Sequence, residues 1–556
     1  MKVYTRLFLA TFCVLLLHSE IASQVIISSD EVPVVIVDTS NEPPVKGKFE
    51  PKWSSLMQYE VPQWFKNAKF GIWAHWGPQC EPEAGDWYAR HMYFEGHWQY
   101  NYHVKKYGHP SVFGFKDVIN EWKADAWDPE KLVALYKKAG AQYFFAMANH
   151  HDNFDMWDSK YQPWNSVNMG PKKDIVGGWA KAARKHGLPL GLSIHSAHAW
   201  TWYESSRGAD KKGDKAGIPY DGHLKREDGA GKWWEGYDPQ ELYVQNHEPS
   251  EGWYDQGRIH SQWNWWKGAS LPDQAYCDNF YNRTMDMINK YRPELVYFDD
   301  TALPLWPVSD AGLQITANYY NRSMEWNNGE LNAIVFGKIL SEDQRKAIVW
   351  DIEKGIPNEI LPFNWQCCTC LGGWHYDRGL YNRNGYKNSK LVIQLLADIV
   401  SKNGNLLLSV PLRGNGSIDD KAEKIVEEIG AWMSINSESI IGTRPWKVFG
   451  EGPMVSGREM RGQGFNEPGS GHYSNKDIRF TSKDGVIYAI IMDSDGETNV
   501  NINSLALCSP VSGGFNISKV TILGTNTQPE WRQNFSGLSV KFEGKGVVVL
   551  KIEGAI

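Results

Sequence analysis

The stretch DPEKLVALYKKAGAQYFFAMANH, residues 128–150, decides the fold class. Asp128 and Pro129 open a helix as N-cap and first-turn residue, because the carboxylate takes up a free backbone N–H and proline has none to leave unpaired. Leu132, Leu135, Tyr136 and Ala139 recur at i, i+3, i+4 and i+7, which makes one apolar stripe, and Gly140 ends it. The following AQYFFAMANH (141–150) is apolar without a polar side, as in a strand buried on both faces. A helix that feeds such a strand is half of a βαβ unit, so the sheet is predicted to be parallel.

Outward from this unit the pattern repeats. KFGIWAHWG (69–77) is another buried strand between turn signals. Asp174 caps a helix carrying Ile175, Val176, Trp179 and Ala183, Gly187 ends it, and LPLGLSIHS (188–196) is the next strand. Further strands are expected at 294–299, 331–336, 346–351 and 405–410, the last after a helix over 389–402. At this length a (β/α)8-like (TIM) barrel is the best fit, over residues 49–442. A polar, Gly-rich insertion at about 198–275 interrupts it and carries Trp200, Trp202, Trp233, Trp234, Trp253, Trp263, Trp265 and Trp266. Part of this insertion is expected to line the groove beyond the pocket. Over 443–556 the texture changes to alternation: Lys483-Asp484-Gly485 precedes VIYAIIM, and Leu538, Val540 and Phe542 precede GKGVVVLKI. That reads as a C-terminal β-sandwich.

Residues 1–23 read as a signal peptide, with Lys2 and Arg6 before the short apolar run Leu7–Leu17 and small residues at Ala22-Ser23. An N-terminal extension, 24–48, follows. The expected location is secreted or another extracytoplasmic compartment, with no membrane span. Sequons at Asn282, Asn321, Asn415, Asn516 and Asn534 fit a eukaryotic secretory route. Six cysteines remain beyond the signal: Cys80, Cys277, Cys367, Cys368, Cys370 and Cys508. Their spacing lacks a second pair at zinc distance, so they are read as structural or disulfide cysteines before metal ligands.

Composition narrows the function. The 58 basic and 65 acidic residues give a net charge of −7 with no Lys/Arg cluster, which argues against a nucleic-acid surface. Hydrophobic residues at 42% exclude wholesale disorder. The 27 Trp, 26 Tyr and 21 Phe fit a protein that stacks aromatic rings on sugars.

In a parallel barrel the active site forms at the carboxyl ends of the strands. Those ends carry His75-Trp76, His150-His151-Asp152, His195 and His198, Asp299-Asp300, and Asp351 with Glu353. A barrel metallohydrolase of the amidohydrolase type begins with His-x-His on the first strand, which this chain lacks. A serine nucleophile would need a Gly-x-Ser-x-Gly elbow, and none stands in a credible setting. Glycosidic cleavage needs two carboxyl groups and a wall of hydroxyl-binding and stacking residues, which this inventory supplies.

The segments KFGIWAHWG (69–77), GDWYARHMY (85–93), HHDNFDMW (150–157), PELVYFD (293–299) and KNGNLLLSVPLRGNGSID (402–419) together resemble glycoside hydrolase family 29, the α-L-fucosidases. The resemblance runs over about 50–440. It implies a retaining mechanism on a barrel followed by a β-sandwich. By this resemblance the nucleophile is Asp299, which shares the facing of Leu295 and Tyr297, while Asp300 is expected to cap the next loop. His75, His150 and His151 match positions that bind fucose hydroxyls, and Trp87 matches a pocket residue. The Glu that precedes that Trp in many members is Asp86 here, a shorter arm. Many members carry an acid/base Glu in W-E-x-C-x-[ST], but this chain has Trp365-Gln366-Cys367-Cys368-Thr369, and an amide cannot donate and recover a proton. It is more similar to the branch with W-Q at that place and an E-[RK]-G element earlier, here Glu353-Lys354-Gly355. Glu353 is therefore assigned as acid/base, with Glu359 in reserve. His195, Tyr297, Arg345 and Trp374 are further pocket candidates. The predicted protein is a retaining, exo-acting α-L-fucosidase with no cofactor and no metal, acting on a fucosylated oligosaccharide or polysaccharide. The alternatives are a catalytically inactive fucose-binding protein, or the same mechanism on an α-L-galactoside or a sulfated fucose.

Overall fold

The computed structural model describes residues 30–255, 264–265, 268–455, 459–460 and 464–555. The proposed signal peptide, Trp263 and Trp266 lie outside them. Eight parallel strands close a barrel in sequence order: β1 (Phe70–Ala74), β2 (Tyr143–Asn149), β3 (Leu190–Ile194), β4 (Leu295–Phe298), β5 (Ile334–Gly337), β6 (Val349–Glu353), β7 (Trp365–Cys370) and β8 (Gly404–Ser409). β1 pairs with β8, Phe70 against Leu406, and so closes the ring. The helices form where the caps predict. An Asp128 oxygen accepts the Lys131 N–H at 3.0 Å to start Pro129–Lys138, and an Asp174 oxygen accepts the Gly177 N–H at 2.8 Å to start Ile175–Lys185.

Aromatic rings fill the barrel below its mouth. Trp73 lies 5.0 Å from Tyr297 and 6.1 Å from Phe145, and Phe145 lies 5.8 Å from Phe336. Rings of this size fit because a neighbour gives way: a Cβ on Gly71 would stand 2.2 Å from the Tyr143 ring. Tyr143 and Phe145 are fully buried, so truncating either to Ala would cost about 3–5 kcal/mol. This packed layer is the floor on which the site rests.

Two differences from the sequence reading bear on the site. β7, WQCCTC, was not among the expected strands. β6 starts at Val349 and not at 346, because Gln344–Ala347 forms a helical turn. The six described cysteines are free thiols: Cys80, Cys277, Cys367, Cys368 and Cys370 are buried core residues, Cys508 is exposed, and no disulfide joins any of them.

After the barrel come two antiparallel sheets. One has the order β13-β16-β11-β10-β9 and the other β12-β15-β14, with β9 Arg444–Glu451, β10 Ile478–Lys483, β11 Val486–Ile491, β12 Asp495–Ile502, β13 Asn516–Ile522, β14 Glu530–Asn534, β15 Gly537–Lys545 and β16 Val548–Ala555. They enclose a core of their own that includes Phe480, Ile491, Val540 and Phe542. A buried ion cluster ties this sandwich to the barrel: Asp398, on the helix Ser389–Ser401, pairs with Arg479 of β10 and with Lys402 at 3.1 Å. Burial alone would raise the Asp398 pKa, but Arg479 and Lys402 outweigh it and hold it at about 2.

Of the six described tryptophans in the insertion, Trp200, Trp202, Trp234 and Trp265 are buried. They form local core more than groove wall. Trp202 nonetheless reaches the site, with its ring 4.7 Å from His151 and 5.2 Å from Trp87.

Candidate active site

The mouth of the barrel gathers the strand ends. Asp299 follows β4, and its Oδ2 lies 3.1 Å from His195 Nδ1 and 3.3 Å from His151 Nε2. Its Oδ1 is in contact with the ammonium of Lys338, which also stands 2.8 Å from Glu353 Oε2. Glu353 ends β6, and its other oxygen accepts the Trp374 indole N–H at 3.1 Å. The side chains of Asp299 and Glu353 keep 22% and 20% of their surface exposed, so both face the opening. Burial by itself raises the Asp299 pKa, but Lys338, His195 and His151 outweigh it and hold the carboxyl well below the ordinary range. Asp299 is therefore ionised. Lys338 shows the converse: burial lowers its pKa, yet the two carboxylates raise it well above the usual value.

Lys338 was missed by the sequence reading. It stands just past β5, held there by its backbone N–H on the Thr301 carbonyl at 3.0 Å. In the sequence it is one lysine two residues past the apolar run 331–336, and the closed barrel brings it level with the other strand-end groups.

Asp300 is turned away into the loop. His198 lies 2.8 Å from its Oδ1, and its oxygens accept the N–H groups of Thr301 and Leu305 at 2.6 and 3.2 Å. This is the geometry of a loop cap.

A ring of imidazoles lines the pocket beside Asp299. His75 sits 5.2 Å from both His150 and His195, 4.7 Å from His375 and 5.5 Å from the Trp374 ring. His375 is a second residue the sequence reading passed over. The β2 end that carries His150 and His151 is preceded by a register shift between Met147 and Asn149, a local irregularity that re-aims the side chains beyond it. Burial pushes the pKa values of His75 and His150 well below normal, and neighbouring imidazoles add to this. Burial also brings His151 down to about 4, against the opposing pull of Asp299. The Gln79 amide donates to His150 Nδ1 at 2.8 Å and to Asp152 at 3.2 Å, so His150 carries its proton on Nε2. Both ring nitrogens of His75, Nε2 of His375 and Nε2 of His195 are buried with no hydrogen-bond partner in the protein, while His375 Nδ1 lies 3.5 Å from Asp86 Oδ1. Buried polar atoms left this way call for a polar ligand. Several neutral imidazoles that offer both donors and acceptors suit the hydroxyls of a sugar.

Asp86 and Trp374 are coupled. The Asp86 carboxylate accepts the backbone N–H of Trp374 at 3.2 Å and of His375 at 2.5 Å, so it braces the wall that carries Trp374 and His375. Trp87, at φ +62, packs edge-on against Trp202. Tyr297 lies one layer below, with its hydroxyl donating to Asp351 at 3.1 Å. Asp351 also accepts from Gln366 at 2.8 Å and Cys368 at 2.9 Å, and burial pushes it up to about 6. Arg345 is not brought into the site. It belongs to the helical turn before β6, at the amino end of that strand, and its guanidinium lies 3.8 Å over the Trp350 ring. Glu359 is exposed in the loop after β6.

The α-L-fucosidase family model matches residues 36–438. The tissue α-L-fucosidase of Rattus norvegicus is 24% identical over 505 residues, 87% of this chain and 86% of its own. That of Bos taurus is 25% identical over 510 residues, 88% and 86% of the two chains. The crystal structure of Thermotoga maritima α-fucosidase superposes with a TM-score of 0.62 at 25% identity, over 91% of this chain and 100% of its own.

Proposed function

The chain belongs to the α-L-fucosidase family of glycoside hydrolases, and from that premise we propose that it is a retaining, exo-acting enzyme that releases terminal L-fucose from glycans or polysaccharides. The observation that carries the reading is the ammonium of Lys338, in contact with both Asp299 and Glu353. Two oxygens that touch one ammonium lie within about 6 Å of each other. An approach this close suits the roughly 5–5.5 Å between the carboxyl groups of a retaining pair better than the roughly 6.5–9.5 Å of an inverting pair.

In the first step an Asp299 oxygen attacks the anomeric carbon while Glu353 gives its proton to the departing glycosidic oxygen, which leaves as an alcohol. In the second, Glu353 takes a proton from water as that water attacks the same carbon, and the Asp299 carboxylate is released. Fucose leaves with its configuration kept. His75, His150, His195 and His375 bind its hydroxyls, and Trp87, Trp202 and Trp374 form the apolar wall. The charged start and apolar run near the N-terminus support a secretory route. Among the described residues no helix is long and apolar enough to cross a membrane.

The test is the anomer first formed from an aryl α-L-fucoside, followed by NMR: α-L-fucose supports the reading and β-L-fucose overturns it. Asp299→Gly is expected to abolish turnover while the fold stays intact, and azide should restore activity by forming a β-L-fucosyl azide.

A further inference from the structure

The C-terminal region sends one segment back to the barrel mouth. Gly464 forms a parallel bridge with Glu353. The Phe465 N–H donates to the Glu353 carbonyl at 3.0 Å, and the Glu467 N–H donates to the Lys354 carbonyl at 3.1 Å. Asn466 holds Ile356 from both sides, accepting its N–H at 2.8 Å and donating to its carbonyl at 2.9 Å. The Glu467 carboxylate accepts from the Thr369 hydroxyl at 2.8 Å and pairs with Lys387 at 3.1 Å. The fit is close, since a Cβ on Gly464, at φ +156, would lie 2.0 Å from the Glu353 carbonyl oxygen.

Phe465 sits inside this clamp and is at odds with it. The residue is 62% exposed, and its backbone is left-handed at φ +58. A bulky residue there is strained, and glycine or asparagine would fit with less cost. Exposed to this degree, the ring gains little from burial in return. A strained backbone that its neighbours over-determine is a mark of ligand clamps.

We propose that Phe465 is a specificity-determining residue of the leaving-group subsite, the platform on which the neutral pyranose next to fucose rests its C–H face. The inference rests on the assignment of Glu353 as acid/base. The glycosidic oxygen must come within hydrogen-bond reach of the Glu353 carboxyl, so the departing sugar extends from there toward solvent. Phe465 is bonded to the backbone of Glu353 itself, and its uncharged ring is exposed to solvent next to that strand end. It links substrate choice to the C-terminal region, outside the barrel.

The experiment compares α-L-fucosyl fluoride, which has no leaving-group sugar, with whichever of the α1,2-, α1,3-, α1,4- and α1,6-linked fucosyl disaccharides the enzyme cleaves fastest. For Phe465→Ala the ratio of kcat/KM on the disaccharide to kcat/KM on the fluoride is expected to fall about tenfold, 1.4 kcal/mol. Phe465→Trp should keep that ratio near the parent value. An unchanged ratio in Phe465→Ala, with or without a lower Tm, makes the segment a structural strap and overturns the proposal. A parent enzyme that cleaves the fluoride and no disaccharide overturns it too. A parent inactive on every substrate overturns the fucosidase reading itself.

Discussion

Asp299 and Glu353, at the ends of β4 and β6, hold one ammonium between them, that of Lys338. Burial would raise the Asp299 pKa, but the charge on Lys338 keeps the carboxyl ionised, with His195 and His151 adding to the effect. Asp299 must be ionised to attack, so activity is lost where it takes up a proton. Replacing Lys338 by Met takes away the positive charge that does most to hold the Asp299 pKa down. The acid limb of kcat/KM is expected to move up by about 1–3 pH units. Lys338→Arg should restore much of the parent profile. An acid limb that stays in place in Lys338→Met would show that the lysine does not set the charge on Asp299.

Glu353 and Glu359 are told apart by leaving-group dependence. Glu353→Ala is expected to lower hydrolysis of natural linkages by about 10²–10⁴-fold, and to spare the first step on an activated aryl fucoside that departs without a proton. Glu359 is exposed in its loop, so Glu359→Ala should leave both rates near the parent's. If the two variants exchange behaviours, the acid moves six residues along the loop.

The barrel was legible because its strands are continuous apolar runs and its helices carry Asp caps, a pattern that local physics fixes. β7 was not legible. WQCCTC carries no aliphatic or β-branched run, since Gln366 and Cys368 turn to Asp351 and the cysteines serve as small buried hydrophobes. The same segment drew attention to disulfide and metal readings, because sequence spacing cannot show that neighbouring thiols lie in a strand. Asp299, Glu353 and the histidines were read from strand ends and from family resemblance. Lys338 was passed over because a single lysine after a strand usually faces water, and only the closed ring shows that it faces two carboxylates. Arg345 precedes β6 whether the strand starts at 346 or at Val349, so it stands at the amino end of the strand, away from the barrel mouth.

Two histidine trios, His75-His150-His375 and His150-His151-His195, bring possible ligand atoms within 4.8 Å of one another. His150 nevertheless presents Nε2–H to the pocket, because its Nδ1 accepts from Gln79, and an N–H is not a metal ligand. Exhaustive dialysis against EDTA is expected to leave activity intact. Loss that zinc restores would reassign the ring to metal. Gln79→Ala frees the His150 tautomer and should raise KM for a fucoside more than it lowers kcat.

The five sequons are not equivalent in the fold. Asn282 and Asn321 are buried, and Asn321 bonds the Phe49 backbone through both side-chain atoms, accepting its N–H at 3.0 Å and donating to its carbonyl at 2.8 Å. A glycan on either would displace core contacts. Glycopeptide mass spectrometry of protein from a eukaryotic secretory host should therefore find glycan at Asn415, Asn516 or Asn534 and none at Asn282 or Asn321.

The buried imidazoles also fix how stability responds to acid. His75, His150 and His151 are neutral in the folded chain, because burial lowers their pKa values, but take up protons near pH 6.5 once unfolded. Between their folded and unfolded pKa values the unfolded state binds more protons, so stability falls as pH falls, by about 1.4 kcal/mol per pH unit for each group. Asp152 and Asp351 work against this. Burial raises both to about 6, so below pH 6 the folded state binds their protons first. Among the described residues His91, His97, His103, His195 and His247 are depressed as well and Glu81, Asp155, Glu204, Glu241 and Glu294 are raised, so eight imidazoles stand against seven carboxyls, and below pH 4 the depressed Asp299 adds to the loss. Tm is expected to fall steadily from pH 6.5 to pH 4.5, and His150→Gln, which removes one titrating group, should flatten the slope. A Tm that holds or rises over that range would mean that the pocket histidines are already charged in the folded enzyme.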